Sequence, residues 1–378
     1  MCIQLLNMDI KDFRECKGRF YNLQSLFYII LNGLSLGLRS VASIHRYSVA
    51  SFSTSLRQKL GINKRFPSYS TLKRAANHLA IAPAINTTDM TNRVLHLDGK
   101  SLCGGIDEDG ITPHIVNLWD GDGSVLVGQK LTAYGSGAGG ERAAAKEIIT
   151  KTKVKGAIIT GDAGFTSGDM PAVITDAGAD YLLRVKDNTP KLKRVMQLRL
   201  AQQAEKRGRK FTHNRINAGQ VDEREIIVLP AAALWSALPP ALKTAQQFGV
   251  VRKTSTHKAS KKVTKTEHYF ITSLPPERAS AADLLALHTN HWRVENDLHR
   301  TKDMLLLEDK RHISTAKKAG IIGALSSLAV SLLKQINPSV AVAIDQIRAK
   351  PAALFSLIKH NLFPNQFKPS PPQQLSLS

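Results

Sequence analysis

Cysteine is nearly missing from this chain. There are three in 378 residues (Cys2, Cys16 and Cys103), with no CxxC pair and no metal-ligand spacing against histidine. That excludes a disulfide framework and a zinc site, and points to a reducing, cytoplasmic compartment. Long hydrophobic runs are missing too. The longest apolar stretch, Leu23 to Ile44, is interrupted by Asn32, Arg39 and several Ser and Gly, so no membrane span is expected. Met1 to Asn7 is too short to be the charged start of a cleavable signal. Negative charge is also scarce: 30 Asp and Glu stand against 52 Lys and Arg, a formal net charge of +22.

What is present is enough for a folded core, since hydrophobic residues make up 43% of the chain. The positive charge is unevenly spread. Residues 1–90 carry 12 basic against 4 acidic residues, and residues 187–265 carry 17 against 5. Everything else holds 23 against 21. Two basic arms around a nearly neutral centre suit a polyanion held over an acidic site.

The acidic residues that matter interrupt apolar runs. Val94-Leu95-His96-Leu97 ends on Asp98, and Ala157-Ile158-Ile159-Thr160-Gly161 ends on Asp162. Glu295 follows far downstream, within His291-Trp292-Arg293-Val294-Glu295-Asn296. A buried strand that ends in a carboxylate is costly unless the charge meets a cation. Hard cations take oxygen ligands and leave room for phosphates, so Asp98, Asp162 and Glu295 are candidate ligands for two Mg²⁺ or Mn²⁺ ions. Together with the net charge, this reads as an enzyme that cuts or joins nucleic acid.

Along the chain, residues 20–60 have helical spacing, and Ser70 is a candidate N-cap for a helix carrying Lys73, Arg74 and His78. Such a helix fits either a helix-turn-helix reader of DNA or an ordinary surface helix. Strands are expected at Val94–Leu97, His114–Trp119 and Ser124–Leu131, a helix near 141–150, and a strand at Ala157–Thr160. A helix near 167–177 and a strand at Tyr181–Lys186 complete the order βββαβαβ, which is the ribonuclease-H-like layout. Residues 187–265 break the pattern and read as a basic, mostly-β insertion. Its lysine run (Lys258, Lys261, Lys262 and Lys265) either grips DNA backbone or forms a soluble loop. A helix from about 281 to 305 should put His291, Glu295, His299 and Lys302 on one face, as phosphate-facing donors around a metal carboxylate or as a solvated face.

Four blocks resemble one family: Leu97-Asp98-Gly99-Lys100-Ser101-Leu102, Gly161-Asp162-Ala163, Leu183-Arg184-Val185-Lys186-Asp187-Asn188, and His291 to His299. From about Arg14 to Leu333 the chain is similar to DDE transposases of the H-repeat-associated (ISAs-type) insertion-sequence group. The resemblance implies a ribonuclease-H-like core with a β insertion, and a catalytic triad at Asp98, Asp162 and Glu295. Lys100, Lys186, Asn188 and His299 match neighbouring motif positions. Double-stranded DNA, at element ends and target, is the implied partner, bound by a homo-oligomer. The pattern departs at His288 and His291, where relatives carry tyrosine and arginine, while Lys302 keeps the expected lysine. It departs again at Gly139-Gly140-Glu141, which keeps only the glutamate of an Asn-Glu pair, and at Gly164 to Ser167.

The expected organisation is α/β: residues 1–90 a helical, DNA-associated domain, 91–186 and 266–335 the two parts of the core, 187–265 the insertion, and 336–378 a tail. A decayed or nuclease-only relative, or a non-catalytic DNA-binding protein, would use the same basic arms.

Overall fold

Period-two burial builds the centre of the molecule. On the first strand Leu95 and Leu97 face one hydrophobic layer, so His96 and Asp98 face the other. The computed structural model describes residues 14, 20–78, 89–102, 112–133, 138–216, 219–311 and 316–362. Among them, nine strands form one sheet: β1 (Val94–Ser101), β2 (Pro113–Asp120), β3 (Val125–Ala133), β4 (Ile158–Gly161), β5 (Asp180–Val185), β6 (Arg209–Ile216), β7 (Gln220–Pro230), β8 (Gln247–His257) and β9 (Val263–Thr272). Their order is β3-β2-β1-β4-β5-β9-β8-β7-β6. β1, β2 and β3 form an antiparallel meander; β4 lies parallel to β1, and β5 parallel to β4. From β5 outward the pairing is antiparallel again.

The stretch expected as an inserted module therefore continues the same sheet. A boundary at residue 265 falls inside β9, because β9 pairs with β5 and β8 at once.

Helices cover both faces. On the Leu95/Leu97 side, α5 (Ala138–Lys151), α6 (Met170–Asp176) and α7 (Pro190–Arg207) contribute Ile148, Ile174 and Met196 to one buried layer. On the other side α8 (Ala281–Asn290) packs Leu284 and Leu285 against Leu182, Ile226 and Phe270. At the β3 end sits a helical cluster: α1 (Leu23–Ser35), α2 (Val41–Ser51), α3 (Thr54–Lys59), α4 (Tyr69–His78), α10 (Ala316–Ile336), α11 (Val340–Ala349) and α12 (Ala352–Leu362). A short helix, α9 (Arg300–Met304), leads into it.

Two expected boundaries change here. Phe27, Ile29, Leu72, Leu328, Ile347 and Leu354 share one buried cluster that reaches Trp119 and Leu126 of the sheet. Residues 20–78 are thus packed into the same core as the C-terminal helices. Residues 340–362, expected within a tail, are two of those helices, burying Val340, Ala343, Ile344, Leu354 and Ile358. The Pro/Gln/Ser-rich stretch from Pro364 lies outside the described residues, as does the acidic loop 107–110. The helix carrying Lys73 and Arg74 opens two residues earlier than expected: Ser68 Oγ, not Ser70, accepts the Thr71 amide at 3.3 Å. The apolar segment Lys318–Ile336 of α10 is long enough to cross a membrane, but 78% of it is buried within the fold.

Candidate active site

Asp98 and Asp162 leave neighbouring parallel strands at the same level. Leu97 faces Gly161 in the last pair of the β1–β4 ladder, and the two aspartates follow directly. β1 does not stop at Asp98 as its apolar run does: pairing with β2 carries it on to Ser101. Asp98 therefore sits where one neighbour has ended and the other continues, half-buried and open on one side. Asp162 begins the turn Ala163–Thr166. Asn188 Nδ2 ties that turn down, donating to the Ala163 carbonyl at 2.7 Å and contacting Ser167 Oγ at 3.2 Å.

Glu295 arrives from the other direction. α8 begins with a Ser280/Asp283 capping box and ends at Asn290. The chain then winds through a π-helical segment, Val294–His299, before α9. A π-type turn holds one more residue than an α-turn, and each residue advances a helix by 100°. Residues beyond it are rotated out of the alignment that regular spacing predicts.

That rotation breaks up the expected polar face. Glu295 is exposed, whereas His291 is buried and Lys302 has no exposed surface. Lys302 Nζ lies 3.2 Å from Glu308 Oε2 and 3.1 Å from Ser327 Oγ. Its charge is spent inside the protein, so it does not face phosphate. Lys100 is engaged in the same way, with Asp303 and with Glu308 at 3.1 Å. The acidic group Asp303, Glu308 and Asp309 is therefore matched by lysines. His299 Nδ1 approaches Asp98 Oδ2 at 3.5 Å, and Lys186 Nζ stands 3.0 Å from Asp162 Oδ1.

The charges of the three carboxylates are felt together. Burial first, then the charges of Glu295, Asp162 and Glu141, push Asp98 up to about 7 despite the Gly99 amide hydrogen bond. Asp162 differs: burial pushes it upward, but the Lys186 hydrogen bond, the Ala163 amide and the charges of Lys186 and Arg184 bring it below the usual range. Burial lowers His291 to about 3, with Arg184 and His96 adding to the effect. It also holds His299 well below its ordinary value, helped by Lys302 and Lys100.

Several contributors were not expected as site residues from sequence, although Glu141 is a kept motif glutamate. Arg184, on β5, is buried, with its Nε and Nη2 lacking hydrogen-bond partners among the described residues, and its guanidinium lies 5.0 Å from the Trp292 ring. Burial lowers its pKa against the pull of Asp162, Glu295 and Asp98. Glu141, at the start of α5, comes so close to β1 that a β-carbon at Gly99 would collide with its carboxylate and with His114. His96 and Thr160 lie beneath the aspartates. Their signal was available: each is a polar residue inside an apolar run, two positions before an aspartate.

The expected DNA contacts separate into groups. Lys186 and Asn188 lie beside Asp162, whereas Lys258, Lys261, Lys262 and Lys265 are exposed around the β8–β9 turn. β9 runs from that turn to His268, whose ring is 6.1 Å from Trp292. Lys73 and Arg74 are exposed on α4, away from the carboxylates in the helical cluster.

A family model described as "Transposase DDE domain" matches residues 98–330, a stretch that starts on Asp98 and contains Asp162 and Glu295. Over 246 residues the chain is 26% identical to "Putative transposase YncI" of Escherichia coli O157:H7, covering 64% of this chain and 62% of that protein. Over 255 residues it is 25% identical to "H repeat-associated putative transposase YhhI" of Escherichia coli (strain K12), covering 64% of each. The chain thus spans less than two thirds of the length of these curated relatives.

Proposed function

This chain belongs to the transposase DDE-domain family, and from that premise we propose that it cleaves DNA strands at the ends of its own insertion sequence and joins them to a target. Asp98, Asp162 and Glu295 would hold Mg²⁺ or Mn²⁺, in a cytoplasmic homo-oligomer that brings two element ends together. The observation that carries this reading is the β1–β4 register, which delivers two aspartates from distant sequence to the same end of two neighbouring strands inside the sheet. The order β3-β2-β1-β4-β5, with only β2 antiparallel to its neighbours, supports a ribonuclease-H-like core under that site. The strands β6–β9 would be the family's insertion, and residues 20–78 its DNA-associated segment.

The donor set fits a hard divalent cation. All three side chains offer oxygen, and burial with the charges of the other carboxylates raises Asp98 to about 7, the mark of carboxylates gathered at one place. When bound, such ions activate an attacking water or 3′-hydroxyl and stabilise the leaving oxygen. The chain's own residues prepare for this. Lys186 keeps Asp162 ionised, Asn188 fixes the turn that follows it, and Arg184 brings a buried positive charge to the carboxylates. The lysines of the β8–β9 turn would track the DNA backbone.

The test uses the purified chain with a duplex carrying the inverted repeats that bracket its gene. Metal-dependent cleavage at the repeat ends, followed by joining to a second duplex, is expected. Cleavage without joining would reduce the protein to a nuclease, and DNA binding without cleavage in either metal would remove the enzymatic reading.

A further inference from the structure

Each of the three carboxylates has a polar residue one layer below it that the proposed chemistry leaves without a task. His96 precedes Asp98 by two residues on β1, and Thr160 precedes Asp162 by two on β4. His291 precedes Glu295 by four, where α8 ends. An offset of two along a strand returns to the same face of the sheet, so His96 and Thr160 lie on the face that carries the aspartates, and His291 enters beside them from the end of α8. The three side chains accordingly meet. Thr160 Oγ1 lies 2.7 Å from His96 Nδ1 and 2.9 Å from His291 Nδ1, and all three residues are buried.

These contacts do different work on the two sides. His96 is directly opposite Thr160 in the β1–β4 ladder, so backbone pairing already fixes those strands. The segment carrying Glu295 has no such support. Among the described residues, its backbone hydrogen bonds stay within its own helical turns. Besides the 3.5 Å approach of His299 to Asp98, the Thr160–His291 contact is, among the described residues, the buried side-chain hydrogen bond that joins that segment to the aspartate strands.

The chemistry of the contact is restrictive. A hydroxyl has one hydrogen to give and lone pairs to receive. With both rings neutral, one histidine accepts from Thr160 and the other donates to it, so the rings adopt opposite tautomers. Burial favours that neutral state, lowering His96 to about 4 and His291 to about 3.

We propose that His96, Thr160 and His291 form a staple of positioning residues that holds the Glu295 segment in register with Asp98 and Asp162. The proposal rests on the reading of those carboxylates as metal ligands. Residues that orient ligands without touching the ion commonly change metal affinity by about 10- to 100-fold when removed. The probe is Mn²⁺ alone, titrated calorimetrically into the full chain, with melting temperature measured in parallel without metal.

Thr160→Val keeps the shape and removes the hydroxyl, and should weaken Mn²⁺ binding by about tenfold. Thr160→Ser restores the hydroxyl and should bring affinity back to within about twofold. If Thr160→Val does not fold, His291→Leu and His291→Asn repeat the contrast, since asparagine keeps a polar atom near the Nδ1 position. A merely structural role would lower the melting temperature of these variants without changing Mn²⁺ affinity. Asp162→Asn separates the two ideas. If it loses Mn²⁺ while Thr160→Val and His291→Leu bind as the unaltered chain does, the staple is overturned and the metal site stands. If Asp162→Asn also binds normally, both are overturned.

Discussion

Asp98 Oδ2 and His299 Nδ1 stand 3.5 Å apart, with the acid shifted upward and the base shifted downward from their ordinary values. Burial and neighbouring carboxylates raise Asp98 to about 7, while burial and two lysines hold His299 well below its ordinary value. Both shifts disfavour the ion pair that an Asp–His contact could otherwise form. Burial and the neighbouring carboxylates make the ionised form of Asp98 costly to hold here.

That cost has a pH signature. The folded-state value of Asp98 lies above the unfolded 3.8. The folded chain therefore holds this proton more tightly, and the stabilisation is complete below pH 3.8 and lost as pH rises through about 7. Asp98→Asn removes the titration. Its melting temperature should exceed that of the unaltered chain by a margin that widens from pH 5 to pH 8, to about 3 °C. Scanning fluorimetry across that range decides it, and a margin that narrows with pH would contradict the assignment.

Metal dependence follows from the same residues. Cleavage should require Mg²⁺ or Mn²⁺ and stop in excess chelator. Ca²⁺ should support binding without efficient cleavage, because its coordination is looser than in-line transfer tolerates. Asp98→Asn, Asp162→Asn and Glu295→Gln should each lower cleavage by at least about 10³-fold while leaving duplex affinity largely intact. Full cleavage by any one of them would remove that residue from the site.

Arg184 should compete with the ion. Its buried guanidinium feels Asp162, Glu295 and Asp98, so it already supplies part of the positive charge they attract. Arg184→Gln removes that charge and should tighten Mn²⁺ binding severalfold, while Arg184→Lys should stay near the starting affinity. Calorimetric titration of both variants checks this, and weaker binding by Arg184→Gln would mean that the arginine organises the carboxylates.

The parts of this site that could be read from sequence were those with a strong local pattern. Apolar runs around Leu95–Leu97 and Ile158–Thr160 announced two buried strands, and the charge they ended on announced the aspartates. β6 could not be read in the same way. From Lys210 to Ile216 its side chains are exposed, so it has no apolar alternation. α11 had its spacing in Val340, Ala343, Ile344 and Ile347, but the Pro/Gln/Ser composition beyond it drew the whole stretch into a tail. The π-helical segment was beyond reach for another reason. Helical spacing assumes a regular turn, and one extra residue is enough to send Lys302 inward. Arg184 gave no signal because its importance lies in what three distant segments bring around it.

The basic segments should divide the work of binding DNA. Lys258, Lys261, Lys262 and Lys265 are exposed at the β8–β9 turn, with Lys261 in a left-handed conformation that shapes it. If each meets a phosphate, replacing all four with Gln should reduce the log–log salt slope by about 3.6 and weaken specific and random duplex alike. Replacing Lys73 and Arg74 should cost binding to the element ends more than binding to random duplex, because groove-entering helices read base edges. Titrations at several salt concentrations separate the two. Loss of only end-specific binding by the four-lysine variant would reverse the assignment.

Lys302 offers the clearest separation between a folding role and a DNA-binding role. Its ammonium is fully buried, and burial lowers its pKa against the pull of Glu308. Removing one member of a buried ion pair leaves an uncompensated charge and costs about 3 kcal/mol or more. Here Lys100 still attends Glu308 at 3.1 Å, so Lys302→Met should fall at the low end of that range. Adding Glu308→Gln removes the stranded charge and should recover part of the loss, provided Lys100 keeps Asp303 as its partner. Through both changes, duplex affinity per folded molecule should stay within about twofold. Chemical unfolding gives the stability and fluorescence anisotropy the affinity. A Lys302→Met variant that folds with undiminished stability but loses DNA would return this lysine to the phosphate-facing role that regular helical spacing first suggested.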